Sequence, residues 1–176
     1  MEASSFNKTS YPIEIAWSDS GGAIETHLIN PDGIQDWTDW DFHAEQIHGI
    51  SRQLCRESGV HPKSLCRRMS QSIAPGELIY ADGGQYDQDW IDVLYGAGSK
   101  LGFSQFKVIH SDSIMLPLLS STESDSGKRW QLYEKLKADA RKKVGGQHRA
   151  ALDVQYLIEL FLLCTAVSRQ CREKAS

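Results

Sequence analysis

Hydrophobic and polar residues alternate most cleanly from Tyr11 to Trp17. Ile13, Ile15 and Trp17 share one face and Glu14 and Ala16 the other, the period of a half-buried strand. Asp19-Ser20-Gly21-Gly22 supplies a turn, and Ala23 to Ile29 reads as the returning strand, closed by Asn30-Pro31-Asp32-Gly33, so a hairpin opens the chain. Trp37 to His48 is aromatic and acidic without clean periodicity. Ser51 caps a short helix carrying Leu54 and ended by Gly59, and Pro62 suits the first turn of another, with Leu65 and Met69 inward and a stop near Pro75-Gly76. Glu77 to Ala81 is a short apolar run, Asp87 to Leu94 fits a helix with Trp90, Ile91 and Leu94 inward, and Gln105 to Ile109 is the next strand. Ser111-Asp112 then caps a helix through Leu119, and Ser120 to Gly127 reads as a loop. Trp130 to Lys143 is amphipathic through Trp130, Tyr133, Leu136 and Ala140, and Gly145-Gly146 ends it. A long final helix runs from about His148 towards Arg169 on a stripe of Leu152, Tyr156, Leu160 and Leu163. This order predicts an α/β fold with a mixed central sheet flanked by helices, in one domain spanning residues 1–176.

Composition narrows the class. With 40% apolar and 24% charged residues the chain has the makeup of a folded globular protein. The start, MEASSFNKTSY, lacks the basic and apolar regions of a secretory signal, and no window approaches the ~18 consecutive apolar residues of a membrane span, so a cytoplasmic protein without membrane association is expected. Cys55, Cys66, Cys164 and Cys171 form no CxxC pair and read as reduced and structural. A net charge of −4 argues against holding long nucleic acid by charge alone. Basic residues nonetheless cluster, first at Arg52, Arg56, Arg67 and Arg68, then at Lys135, Lys137, Arg141, Lys142, Lys143 and Arg149. The second group surrounds Gly145-Gly146-Gln147-His148, and its Arg141, Lys142, Lys143 and Arg149 are suited to phosphates entering a cleft.

Hydrolysis of a phosphodiester by two divalent cations needs carboxylates from separate stretches to converge, because hard cations take oxygen ligands and such ions lie ~3.5–4 Å apart. Glu2, Asp87 and Asp153 are the candidates. His148 precedes Asp153 by five positions, roughly 140° around a helix, so both border one cleft only if His148 sits at a mobile helix start. Gly145-Gly146 provides that mobility, and a neutral His148 there can take a proton from a water acidified by a cation. Each residue also has a plainer role. Asp87 suits a helix cap, Asp153 a solvated helix position, His148 a surface or capping histidine and Glu2 a frayed terminus.

Five segments occur in an order and at distances that resemble the DEDDh exonucleases, which include the proofreading subunit of bacterial DNA polymerase, oligoribonuclease and ribonuclease T. They are Met1-Glu2-Ala3-Ser4-Ser5, Ser10-Tyr11-Pro12-Ile13-Glu14-Ile15-Ala16, Ile47-His48-Gly49-Ile50-Ser51, Tyr86-Asp87-Gln88-Asp89-Trp90 and His148-Arg149-Ala150-Ala151-Leu152-Asp153. The resemblance spans Glu2 to about Leu163. It implies a ribonuclease H-like fold and stepwise 3′-to-5′ hydrolysis of single-stranded DNA or RNA to nucleoside 5′-monophosphates with two magnesium or manganese ions. By position, Glu2, Asp87 and Asp153 would be metal ligands and His148 the general base, while Ala3, Ser4 and His48 would line the pocket for the 3′-terminal nucleotide.

Two departures from the family pattern stand out. The aspartate of the family's D-x-E motif would stand immediately before Met1. On that reading a metal ligand and most of the first strand are missing, the natural product is expected to begin further upstream, and a chain starting at Met1 is expected to be weakly active or inactive. Ala81-Asp82-Gly83-Gly84 replaces the histidine and asparagine that many members carry ahead of the second-motif aspartate. The alternative is a nucleic-acid-binding or protein-interaction module on a degenerate nuclease fold. A cysteine hydrolase using Cys55 or Cys66 fits poorly, since both stand beside arginines without an organised histidine and acid. Many stand-alone relatives are homodimers, a use open to Trp37, Trp40 and Phe42, for which a core or substrate-stacking role is at least as well suited.

Overall fold

The computed structural model describes residues 1–19, 21–146 and 148–175, with the side chains of 174 and 175 excepted. Ser20 of the hairpin turn and Gln147 lie outside the described residues. The chain is mixed α/β. A three-stranded antiparallel sheet comprises β1 (Glu2–Ala3), β2 (Pro12–Ser18) and β3 (Ile24–Leu28), in that order. Helices α1 (Phe42–His48), α2 (Arg52–Ser58) and α3 (Pro62–Ser72) follow, then β4 (Leu78–Ala81), α4 (Gln85–Gly98) and β5 (Lys107–His110), whose two strands pair in parallel. Helices α5 (Asp112–Leu118), α6 (Ser126–Val144) and α7 (Ala150–Ala175) complete it.

The expected single mixed sheet is therefore two hydrogen-bonded sheets. β1 contributes two residues and shifts register between Glu2 and Ala3, too short a strand to carry a second ladder beside the one it makes with β2. Alternation along β2 sends Ile13 and Ile15 into a core with Tyr11, Ile29, Leu65, Met69 and Leu94, under α2, α3 and α4. A second core joins Met115 and Leu119 to Tyr133, Leu136, Tyr156, Leu160 and Cys164, between α5, α6 and α7. α7 also lies against β2 and β3, so the antiparallel sheet is covered on both faces.

Local chemistry sets several ends. The Ser51 hydroxyl accepts the Leu54 amide at 3.1 Å to open α2. Gly59 ends it where the chain crosses Ile29-Asn30, and a Cβ there would stand 2.6 Å from the Asn30 nitrogen. Asp41 starts α1 by accepting the His43 amide at 2.8 Å, a helix the aperiodic sequence concealed.

The aromatic residues divide between core and surface, two of them against expectation. Trp37 is in the core, stacked on Tyr11 at 5.0 Å, and so offers no dimer surface; of that trio only Phe42 is fully exposed. Trp130, expected inward, is 47% exposed, because the stripe Tyr133, Leu136 and Ala140 turns the buried face of α6 away from it. Trp90 is half-buried rather than core. α7 is long and apolar enough to cross a membrane by length and composition, but here it packs on α6 and the sheet.

Candidate functional site

Elements from three separate stretches meet where β1, the start of α4 and the first turn of α7 approach one another. Met1 precedes β1, and its ammonium group pairs with Asp87 Oδ1 at 3.2 Å, with both groups buried. Asp87 lies in the first turn of α4, where its other oxygen accepts the Gly83 amide at 3.0 Å. A Cβ at position 83 would stand 2.7 Å from Asp87 Oδ2, so a larger residue there would push the carboxylate aside. The Met1 ammonium also acts on Glu2 and Asp153, so one positive charge is shared by the three carboxylates. Burial pushes Glu2 up to about 7 despite that ammonium, and the nearby carboxylates of Asp153 and Glu14 push the same way. Burial also raises Asp153, against the pull of the ammonium, Arg141 and His148.

His148 is exposed and lies ahead of α7, in the segment entered by Gly145 and Gly146 at φ of 64° and 92°. Because α7 begins at Ala150, His148 escapes the helical phase that would have turned it away from Asp153, and the two border one open cavity of about 540 Å³. Arg141 projects into it from α6. Its guanidinium lies 4.0 Å from the Tyr156 ring centroid, donates to Asp82 at 2.8 Å and comes within 3.9 Å of Asp153. Among the described residues no three His, Cys, Asp or Glu side chains form a ready-made metal cage.

Ala3, Ser4 and His48 do not present side chains to this opening. All three are buried, and Ser4 is spent on the fold: its amide donates to the Tyr11 carbonyl, its hydroxyl oxygen accepts the Tyr11 amide, and its carbonyl accepts the Asp41 amide. His48 Nδ1 accepts the Ile50 amide at 3.0 Å, so the neutral ring carries its proton on Nε2, which is buried without a protein partner. Burial lowers its pKa and keeps the ring neutral.

The sequence reading missed two features. Phe6 is 81% exposed and Tyr86 65%, and both rings lie near Trp90, at 6.2 and 6.4 Å between centroids, forming an aromatic rim beside Asp87. Tyr86-Asp87 together with Trp90 one turn on was the available signal. Arg149, expected to meet phosphates, instead turns towards the sheet and grips Glu14, while Lys143 pairs with Glu159 at 2.6 Å. A charged residue amid the buried run of β2 was the only hint of Glu14. The Cys55 and Cys66 thiols are buried, pushed up to about 11 and about 12, and so lack the thiolate that a nucleophile requires. No protein-family model matches the chain, and no curated protein matches it.

Proposed function

We propose that the protein is a metal-dependent 3′-5′ exonuclease of ribonuclease H-like fold, acting in the cytoplasm on single-stranded DNA or RNA with a free 3′ end. The observation that carries this reading is the approach of β1, the start of α4 and the first turn of α7, which brings Glu2 within electrostatic reach of Asp153 and the residue before Glu2 against Asp87, beside a cavity that His148 and Asp153 share. Hard carboxylate oxygens are the donors magnesium and manganese prefer. Magnesium is commonly held by one or two carboxylates with substrate phosphate completing the shell, so a closed protein cage is not required. The residues therefore suit such ions in type, and Glu2, Asp87 and Asp153 would hold them once substrate phosphate completes the shell. Bound there, such ions would supply charge stabilisation to phosphodiester hydrolysis.

The protein's own groups have separable tasks in this reading. His148, exposed on a glycine-flanked segment, takes the proton of the attacking water. Phe6, Tyr86 and Trp90 offer π-faces on which bases stack without regard to sequence. His48, buried away from the cavity, has no direct task in this reading. Arg141, whose guanidinium is half-exposed and stands over the Tyr156 ring between Asp82 and Asp153, can exchange a carboxylate for a phosphate oxygen.

The test is release of mononucleotides from 3′-labelled single-stranded DNA and RNA, with manganese and with chelator. Trimming that needs the ion and disappears in Asp153→Ala is expected, and a folded protein that trims neither polymer overturns the assignment. One observation favours a second reading, a binding module without hydrolysis: Arg141 already stands against Asp82 and Asp153. Retention of the oligomer without trimming is its signature.

A further inference from the structure

We propose that Glu14 and Arg149 are a positioning pair that fixes the distance between the strand bearing Glu2 and the helix turn bearing Asp153. This rests on the exonuclease reading for its purpose, though not for its geometry. Glu14 lies on the α7 side of β2 and is 2% exposed. Both its carboxylate oxygens accept from Arg149 Nε at 3.0 Å, and Oε2 also accepts the backbone amide of Ala150 at 2.9 Å. Ala150 is the first residue of α7, where amides lack partners within the helix and the helix dipole favours a negative charge. Glu14 thus supplies from a distant strand the cap that the local sequence does not.

Each partner is tied directly to a site residue. Glu14 stands opposite Glu2 in the β1–β2 ladder, so the two side chains share a face. The Arg149 carbonyl accepts the amides of Leu152 at 2.9 Å and Asp153 at 3.1 Å, and His148 is its immediate neighbour. One carboxylate therefore registers Glu2, His148 and Asp153 against each other. A pair kept only for stability has no need of charge here, since apolar residues of similar volume often serve a buried position as well or better. A fork-shaped guanidinium on a buried carboxylate adds direction, which a site tolerating about half an ångström of error demands.

The experiment compares wild type with Glu14→Gln, Arg149→Lys and Arg149→Met by amide hydrogen exchange and by manganese titration followed by electron paramagnetic resonance. Glu14→Gln is expected to speed exchange in residues 150–153 at least tenfold while α3 and α4 keep their protection. It should weaken manganese at least tenfold and lower kcat with KM little changed. Arg149→Lys keeps the charge and loses only the fork, so it should fall between wild type and Arg149→Met, and it carries the test if Glu14→Gln does not fold. Exchange in 150–153 within twofold of wild type, or exchange raised equally across the whole chain, overturns the positioning role. A wild-type protein that neither binds manganese nor trims oligomers overturns the exonuclease reading instead. The positioning role is then judged on exchange alone.

Discussion

Replacing Glu2 with glutamine should stabilise the ion-free protein at pH 8 and change it little at acidic pH. Burial moves this carboxyl from 4.5 to about 7, so the folded state prefers the protonated acid. The sign follows from that preference. Below about pH 4.5 Glu2 is protonated folded and unfolded and costs nothing. Between 4.5 and about 7 the unfolded chain ionises first and the cost grows; above about 7 it is complete. At about 1.4 kcal/mol per pH unit the full displacement is worth about 3 kcal/mol, and screening of this half-buried group reduces it to about 1–2 kcal/mol. Urea unfolding of wild type and Glu2→Gln in chelator, at pH 5 and at pH 8, isolates the effect, because packing differences between the two side chains cancel between the pH values. A stability difference equal at both would refute the reasoning and remove the evidence that Glu2 is held as a desolvated acid.

Added manganese should reverse the effect, raising the Tm of wild type at pH 8 by several degrees and that of Glu2→Gln much less; equal shifts would place the ion elsewhere. Gly83→Ala forces a methyl to 2.7 Å from Asp87 Oδ2. It should cost about 1–3 kcal/mol in urea unfolding and reduce trimming disproportionately. Tyr133→Phe removes the 2.6 Å hydrogen bond to Asp112 in the second core and should lower stability by about 1–2 kcal/mol while leaving trimming intact, as unfolding and oligomer assays in parallel will report. Arg141→Ala is expected to raise the KM for an oligomer several-fold with kcat nearly kept; a kcat loss with KM unchanged would reassign Arg141 from phosphate binding to the chemistry.

Local signals in the sequence were legible where one residue decides one local conformation. The β2–β3 hairpin, the Ser51 and Gly59 ends of α2, and the Gly145-Gly146 stop of α6 follow from short-range sterics and hydrogen bonding. α1 was hidden because its seven residues bury only Ala44 and His48, leaving no apolar stripe to read. Glu2, Asp87, His148 and Asp153 could be nominated by residue type and order, whereas their partners could not. Glu14 finds Arg149 across 135 residues, and Arg141 finds Asp82 across 59. Such pairs depend on how α7 lies against β2, and no spacing encodes that. Nor does a residue type report burial, which turned Trp37 and Ser4 from candidate surface groups into scaffold.

The Glu14–Arg149 contact also bears on when the site comes into being during synthesis. A ribosome releases β2 long before Arg149, and until that arginine emerges the nascent β2 carries a carboxylate on a face that nothing covers. The first core can condense around Ile13 and Leu65 without it, but the acidic groups of β1, α4 and α7 meet only once α7 docks. Contacts of such separation are slow to close because the intervening chain must first be ordered. Assembly of this acidic cluster is thus a late event of folding, and partly made chains, though structured, still lack it.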